Sequence, residues 1–289
     1  MTASDVLDSP AAPRSAPAEG EVIYRHPLVV RLTHWINALA LTFLLFSGLQ
    51  IFNAHPELYW GKYGADHETP FISLLAAGTP DRPRGVTTIG PVHLDTTGVL
   101  GVSRRKGQWE ARGFPGWATI PTWRDLALGR RWHFFFAWIF VTNGLVYLAY
   151  GFLSGRFRRD IRPDRDQLTV RHIWKNIVDH ARLRHPVGEE AKRYNILQKI
   201  AYLAIIFLFL PLMVATGLTM SPGVDAAWPW LLDIFGGRQS ARTIHFICAS
   251  AIVLFVVIHV AEVFIAGPIN ELGSMITGRY RVRSGEDHR

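Results

Sequence analysis

The chain has 289 residues, of which 49% are hydrophobic, 12% aromatic and 19% charged, and its formal net charge is +8. Its mean hydropathy of +0.13 is high for a soluble protein and low for one buried wholly in lipid, which favours a membrane bundle with large polar loops. The single cysteine, Cys248, excludes an internal disulfide and any CxxC or CxxCH site, so a bound metal would need histidine ligands.

Four apolar runs follow one another along the chain, at 28–53, 132–154, 196–220 and 240–266. Each is long enough for about 30 Å of hydrocarbon at about 1.5 Å per helical residue, so we predict four spanning helices. The third run contains Pro211, which a spanning helix tolerates as a kink. The predicted fold class is an all-α membrane protein, a four-helix transmembrane bundle at 28–267 with a long first outer loop.

The segments outside these runs set the predicted orientation. Residues 1–27 are rich in Ala, Pro and Ser and predict a disordered tail. The loop 155–195 is strongly basic, whereas the loop between the third and fourth runs has a single basic residue, Arg238. The positive-inside rule therefore places 155–195 in the cytoplasm. Both termini, including the tail 268–289, are then cytoplasmic, and the loop 54–131 is periplasmic. The net charge reflects this topology, and no basic-aromatic or zinc-finger motif indicates nucleic-acid binding.

Four histidines fall inside the apolar runs, where an ionisable side chain is costly enough to indicate a function. His34 lies early in the first run and His259 late in the fourth, so both are at the predicted cytoplasmic level. His133 opens the second run and His245 lies early in the fourth, which puts both at the outer level. His245 and His259 lie within about 40° of each other on one helix and about 21 Å apart along it. One face of the fourth helix can therefore serve two sites at two depths.

Two histidines that face each other across a helical core suit the two axial positions of a haem iron. We predict that His133 and His245 hold an outer b haem and that His34 and His259 hold an inner one. Iron with both axial positions filled has no open position for a substrate, which favours electron transfer. The alternative is that each histidine only forms a hydrogen bond between helices, as in a haem-free polytopic transporter.

Small and basic residues lie near these predicted sites. Gly48 and Gly144 lie on the faces of His34 and His133, each at the depth of the other haem, where a missing side chain would admit a flat macrocycle. Both glycines could equally be packing positions. Haem propionates need cationic partners, and the candidates within a turn of a ligand are Arg31, Arg130, Arg131 and Arg242. Flanking arginines are also expected from membrane topology alone.

Several motifs resemble those of a known family. They are "RLTHWINA" at 31–38, the histidine that opens the second run, the 14-residue histidine pair and "GPINELGSMITGRYR" at 267–281. Over most of residues 24–283 the chain resembles the bacterial di-haem cytochrome b subunits of the cytochrome b561 superfamily, of the hydrogenase, formate dehydrogenase and thiosulfate reductase types. The resemblance implies that His34, His133, His245 and His259 ligate two b haems. It also implies a subunit of the bacterial inner membrane that passes electrons between the quinone pool and a partner enzyme on the outer face.

The loop 54–131 is longer than in the short hydrogenase type, and a loop of this length usually has a function. Trp109, Trp117 and Trp123, together with arginines, suit a docking surface, and a self-packed cap over the outer haem is the alternative. Resemblance to the longer members favours a periplasmic molybdopterin-dependent oxidoreductase as the partner. A stand-alone superoxide-to-quinone oxidoreductase is the alternative function, and co-purification of a soluble partner would separate the two.

A quinone, as an exchangeable electron carrier, must reach a haem from the lipid and exchange protons with water. If the outer haem faces the partner, the inner haem is left for the quinone, and the polar candidates at that level are Arg31, Asn37 and Glu262. The alternatives are that Arg31 pairs with a propionate, that Asn37 bridges helices and that Glu262 marks the helix end near the interface.

Overall fold

The structure is a computed structural model that describes residues 22–64, 68–163, 165–181 and 195–282. Its helices are, in chain order, α1 Leu28–Phe52, α2 Leu126–Leu153, α3 Val170–Ala181, α4 Ile196–Thr219, α5 Pro222–Ala227, α6 Trp230–Ile234, α7 Arg238–Ala266 and α8 Pro268–Thr277. By length and composition α1, α2, α4 and α7 can each cross a membrane, which confirms the four predicted spans. In the bundle, α1 packs along α2 and α4 along α7.

Helix α2 begins before its apolar run. The side chain of Asp125 accepts a hydrogen bond from the backbone N–H of Leu128 at 2.8 Å, which caps the helix and moves its start from the predicted residue 132 to Leu126. Gly129 in the added turn lies against the Gln50 side chain of α1, where a Cβ would come within 2.7 Å of it. His133 therefore lies in the third turn of α2, within the packed part of the bundle.

Helix α4 accommodates Pro211 by widening its hydrogen-bond pattern. The segment Ile205–Phe209 is a π-helix between the α-helical parts Ile196–Ala204 and Leu210–Thr219. Proline has no N–H and its ring clashes with the carbonyl four residues earlier, so one wider turn before Pro211 keeps the span continuous.

The prediction of an all-α fold was wrong, because strands lie between the first and second spans and also just before the first span and after α8. The strands are β1 Val22–Tyr24, β2 Glu57–Leu58, β3 Ile72–Thr79, β4 Arg82–Ile89, β5 Val92–Asp95, β6 Val102–Arg105, β7 Gln108–Ala111 and β8 Arg279–Arg281. Strands β2, β3, β4 and β5 form one antiparallel sheet in that order, and β6 pairs with β7. We call residues 53–125, which contain β2 to β7, the outer unit.

Short turns explain why this segment folds into hairpins. Strands β6 and β7 are joined by Lys106 and Gly107, with φ of 49° and 82°, and positive φ at both central residues is the turn that matches the twist of paired strands. Gly90, with φ of 55°, lies in the equally short turn between β4 and β5. The segment is long because it is a folded unit.

Buried polar contacts attach the outer unit to the bundle. The guanidinium of Arg112, 4% exposed, donates to the side chains of Gln50 in α1 and Thr119, and to the Thr122 carbonyl at 3.0 Å. At the junction itself, Asn53, which directly follows α1, exchanges two hydrogen bonds with the backbone of Phe114, at 3.0 and 2.6 Å. On α7, the Thr243 hydroxyl donates to the Tyr59 carbonyl at 2.6 Å, and the Gly61 N–H donates to the Ser240 hydroxyl at 2.8 Å.

We expect Arg112→Met to loosen the outer unit. The substitution leaves the Gln50 and Thr119 side chains and the Thr122 carbonyl without their donor, at a cost of about 3 kcal/mol for buried groups left unpaired. The measurement is the melting temperature in detergent together with protease cleavage within 53–125. Arg104→Met, at an exposed position of the same unit, is the control. Equal melting and equal cleavage in both variants would show that Arg112 is not an anchor.

The first and last described segments of the chain meet at the other end of the bundle. Strand β1 pairs antiparallel with β8, just after α8, and Gly278 adopts φ of 83° between α8 and β8. The predicted tails 1–27 and 268–289 thus include this two-stranded sheet and α8, while residues 1–21 and 283–289 lie outside the described residues. The basic loop 155–195 contains a π-helix Phe157–Ile161, a 3₁₀-helix Arg165–Leu168 and α3, and its residues 182–194 also lie outside the description.

Candidate functional site

The two histidines predicted at the outer level face each other across the bundle. His133 on α2 and His245 on α7 have ring centroids 6.4 Å apart and planes inclined at 60°. They lie at the end of the bundle that carries the outer unit. Gly48 of α1 lies against the His133 ring, and Gln50, less than one turn further along α1, contacts Arg112 of the outer unit. We call His133 and His245 the outer pair.

A hydroxyl on a neighbouring helix orients each ring of the outer pair. Ser47 Oγ of α1 lies 3.1 Å from His133 Nδ1, and Thr216 Oγ1 of α4 lies 3.0 Å from His245 Nδ1. Each hydroxyl already donates to a carbonyl of its own helix, that of Phe43 at 2.6 Å and that of Leu212 at 2.7 Å. Each can therefore accept from an Nδ1–H group, which assigns the proton to Nδ1 and leaves the Nε2 lone pair available to a metal.

Glycines next to these hydroxyls make room for the rings. A Cβ at Gly48 would lie 3.4 Å from Cε1 of His133, and a Cβ at Gly217 would lie 3.4 Å from Cε1 of His245. Gly48 thus lies at the depth that the sequence predicts for it. Ser47, Thr216 and Gly217 are functional candidates that the sequence reasoning missed. The signal available was the repeated hydroxyl–glycine pair, "SG" in the first run and "TG" in the third.

The two histidines predicted at the cytoplasmic level also face each other. His34 on α1 and His259 on α7 have ring centroids 6.4 Å apart and planes inclined at 63°. The His259 ring stacks on Phe255 at 5.9 Å, whereas Nδ1 of His34 is buried with no hydrogen-bond partner in the described part of the chain. A Cβ at Gly144 would meet nothing within 4 Å, so open space adjoins it. We call His34 and His259 the inner pair.

Both pairs fit axial ligation of one metal between two rings. With metal–nitrogen bonds of about 2 Å and about 1 Å from nitrogen to ring centroid, two imidazoles on opposite sides of a metal have centroids about 6 Å apart. Across the described residues there is no group of three or more His, Cys, Asp or Glu side chains that could hold a bare ion. Two protein ligands suffice when a porphyrin supplies the other four, which is the haem arrangement.

The predicted propionate arginines fall into two groups. Arg31 and Arg242 are partly buried: Arg31 donates to the Ile276 carbonyl, and Arg242 donates to the His55 carbonyl and lies 5.5 Å from the Phe52 ring centroid. Nε of Arg31 is buried without a partner among the described residues. Arg130 and Arg131 are exposed, and Arg130 lies 5.7 Å from the Phe134 ring. Arg31 and Arg242 therefore fit a carboxylate near a haem better than the other two.

His26 is a further buried polar residue near the inner pair that sequence reasoning left aside. It is 7% exposed, and its Nδ1 has no hydrogen-bond partner in the part of the chain described. Burial, together with the charges of Arg25 and Arg156, lowers the pKa of His26 to about 4, and Arg31 contributes in the same direction. Because its Nδ1 is buried without a partner among the described residues, His26 joins Arg31 as a candidate to contact the carboxylate of a cofactor.

The polar residues predicted to contact a quinone lie close to the inner pair. Asn37 accepts a hydrogen bond from Nδ2 of Asn143 on α2 at 2.7 Å, and the same nitrogen donates to the Thr33 carbonyl at 2.8 Å. Asn37 therefore bridges two helices, which is the alternative that the sequence left open. Glu262 lies three residues after His259 on α7 and is partly buried.

Comparison with known proteins identifies the family. Residues 25–278 match the family described as prokaryotic cytochrome b561. A protein of Azospira oryzae that carries the name of a protein-methionine-sulfoxide reductase subunit, YedZ1, is 29% identical over 245 residues, which are 84% of this chain and 91% of that protein. No solved structure matches the chain. The chain belongs to the prokaryotic cytochrome b561 family and is a multi-pass protein of the bacterial inner membrane that transfers electrons through b-type haem.

Proposed function

We propose that this chain is the membrane electron-transfer subunit of an oxidoreductase and binds two b haems, one at the outer pair and one at the inner pair. The observation that carries the proposal is the repeated geometry, two sets of facing imidazoles with centroids 6.4 Å apart at two levels of one bundle. A bound haem supplies one-electron chemistry at its iron. His133 and His245 would hold one haem and His34 and His259 the other, while Ser47 and Thr216 orient the two outer rings.

The haem content of the purified protein tests this proposal. We expect a pyridine haemochrome assay to give two b haems per chain, extractable because the sequence has no CxxCH motif for covalent attachment. Spectra of the oxidised and dithionite-reduced protein should be low-spin, since two imidazoles fill the axial positions. One haem per chain, or none, would contradict the two-site assignment.

The outer unit supports a periplasmic partner. Trp117 is 76% exposed, Trp109 and Trp123 are also exposed, and the Arg104 guanidinium lies 4.7 Å from the Trp109 ring centroid. Exposed aromatic and arginine side chains of this kind are enriched in protein interfaces. The name of the Azospira oryzae relative supports a reductase as the partner class. We infer that a periplasmic oxidoreductase docks on this unit. The resemblance to the longer family members favours a molybdopterin-dependent enzyme.

A stand-alone superoxide-to-quinone oxidoreductase is the second candidate, because the exposed Arg104 and Lys106 at the β6–β7 turn could attract an anion. The experiment is affinity purification from native membranes with wild type and with Trp117→Ala. A soluble oxidoreductase that is retained by wild type and lost with Trp117→Ala supports the subunit. Rapid haem reduction by superoxide without any co-purified protein supports the alternative.

An open groove between α1 and α2 supports quinone exchange at the inner pair. Its volume is about 630 Å³, and its lining is apolar apart from Thr33, Thr142 and Asn143. Its lining includes Asn143, whose side chain donates to Asn37 and to the Thr33 carbonyl, so the groove reaches the polar groups next to His34 in the chain. An apolar groove with a few polar groups suits a prenylated quinone.

Substitution of the two polar candidates tests the position of this site. We expect Asn37→Leu and Glu262→Gln each to slow haem reduction by a quinol analogue roughly five- to tenfold, the equivalent of one hydrogen bond of about 1–1.5 kcal/mol. Thr42→Val, on the same helix with its hydroxyl bonded to the Ala38 carbonyl, is the control. Normal haem content and normal quinol kinetics in both variants, with slowing by changes near His133, would move the site to the outer face.

A further inference from the structure

Helix α3, in the connection between the second and third spans, has one apolar face. Val170, Trp174 and Ile177 are spaced four and three residues apart, which places them on one side of the helix. Arg171 lies to the side of this face, and His172 lies on the opposite side of the helix. A helix with such a division buries its apolar side against protein or lipid.

The described protein leaves this face open. Val170 is 84% exposed, Trp174 66% and Ile177 41%. Other apolar side chains of this connection are exposed too: Leu168 just before α3, and Phe152 and Leu153 at the end of the second span. Open apolar surface of this extent around the ends of spanning helices indicates a contact with lipid.

The position of α3 places it at the level of the membrane surface. It packs against α4, which begins its span at Ile196 after the Asn195 cap. The Lys199 ammonium of α4 donates to the Gln167 side chain at 3.0 Å and to the Arg162 carbonyl at 3.3 Å, which ties the segment before α3 to the first turn of the span. The entry to α3 is thus held where the third span enters the bilayer.

We propose that α3 lies in the plane of the membrane interface, with Val170, Trp174 and Ile177 among the acyl chains and neighbouring arginines on anionic phospholipid headgroups. Arg171 is exposed to the side of this face, and Arg158 and Arg162 are exposed in the segment that leads into α3. Arginines at this level complement phosphatidylglycerol-type charge. Tryptophan is also the side chain that favours the interfacial region. This surface is separate from both histidine pairs, and the proposal does not depend on haem binding.

Single-cysteine spin labelling tests the proposal directly. Cys248 is the only cysteine of the chain and is buried, so Cys248→Ala gives a background for Trp174→Cys and Ile177→Cys, with His172→Cys as the matched control on the opposite face. In nanodiscs, labels at 174 and 177 should collide mainly with oxygen, which concentrates in lipid. The label at 172 should collide mainly with a water-soluble nickel chelate. Size exclusion and circular dichroism check that each variant is folded.

Lipid composition tests the headgroup contact. Addition of phosphatidylglycerol to phosphatidylcholine nanodiscs should raise the oxygen-to-nickel collision ratio at 174, and Arg171→Gln should reduce that rise. Hydrogen exchange of the wild-type protein at 170–181 should be slower in nanodiscs than in detergent. The membrane contact would be overturned if the labels at 174 and 177 collided mainly with the nickel chelate. It would also be overturned if protein shielded these labels from both oxygen and the nickel chelate. An oxygen-to-nickel collision ratio that does not change when phosphatidylglycerol is added would overturn the preference for anionic lipid.

Discussion

His133→Ala is expected to remove the outer haem and leave the inner one, and His34→Ala is expected to do the reverse. The reason is that each histidine faces a different residue of α7, His245 and His259, at levels about 21 Å apart along the helix. Loss of one axial nitrogen leaves the remaining haem site with both of its own ligands. The haem-to-protein ratio should fall from two to one, and the signal that persists should differ between the two variants.

The control for this experiment is His93→Ala. His93 is exposed on β5, far along the chain from both pairs, and its ring bonds to the Thr88 hydroxyl at 3.0 Å, so both haems should remain. If either ligand substitution left both haem signals intact, the pairing would be wrong. If a variant lost both haems, its melting temperature would show whether the bundle itself had unfolded. This check is needed because bound cofactor and fold stability are coupled.

Gly48→Leu is expected to empty the outer haem site selectively. Even a Cβ at this position would come within 3.4 Å of Cε1 of His133, and the rest of a leucine side chain would occupy the space beside that ring. Overpacking of this kind costs about 1–3 kcal/mol, which lowers haem affinity roughly tenfold to a hundredfold. The measurement is the haem content after purification, followed by haem titration of the depleted protein.

Gly144→Leu is the paired variant for the inner site. Gly144 lies on the face of α2 that carries His133, next to open space at the inner level, so a leucine there should lower inner-haem occupancy and spare the outer. Gly223→Leu, on the short helix α5 with nothing within 4 Å of its Cβ, is the control and should retain both haems. Full occupancy of both sites in Gly48→Leu and Gly144→Leu would mean that these glycines are ordinary packing positions.

The outer unit shows where sequence reasoning fell short. A search for runs of about 20 apolar residues averages the hydropathy over strands in which apolar and polar residues alternate. Such a search therefore did not detect β3 and β4. At the Lys106–Gly107 turn the glycine fits the positive φ that such a turn requires, but lysine is not a residue that favours it, so the hairpin signal was weak. The contacts that hold the unit on the bundle, Arg112 with Gln50 above all, join residues 62 positions apart, and no local pattern predicts such a pair.

The sequence by itself determined the four spans, the depth of each histidine and the rotation that places His245 and His259 on one face of α7. These properties depend only on hydropathy and on the fixed rise and rotation of a helix, which are local. Tertiary structure alone decided that Ser47 and Thr216 hold the outer rings, that Asn37 is bonded to Asn143 and that Arg31 and Arg242, unlike Arg130 and Arg131, are partly buried. Those contacts depend on which helices are neighbours and how each is turned about its axis, and packing between helices sets both.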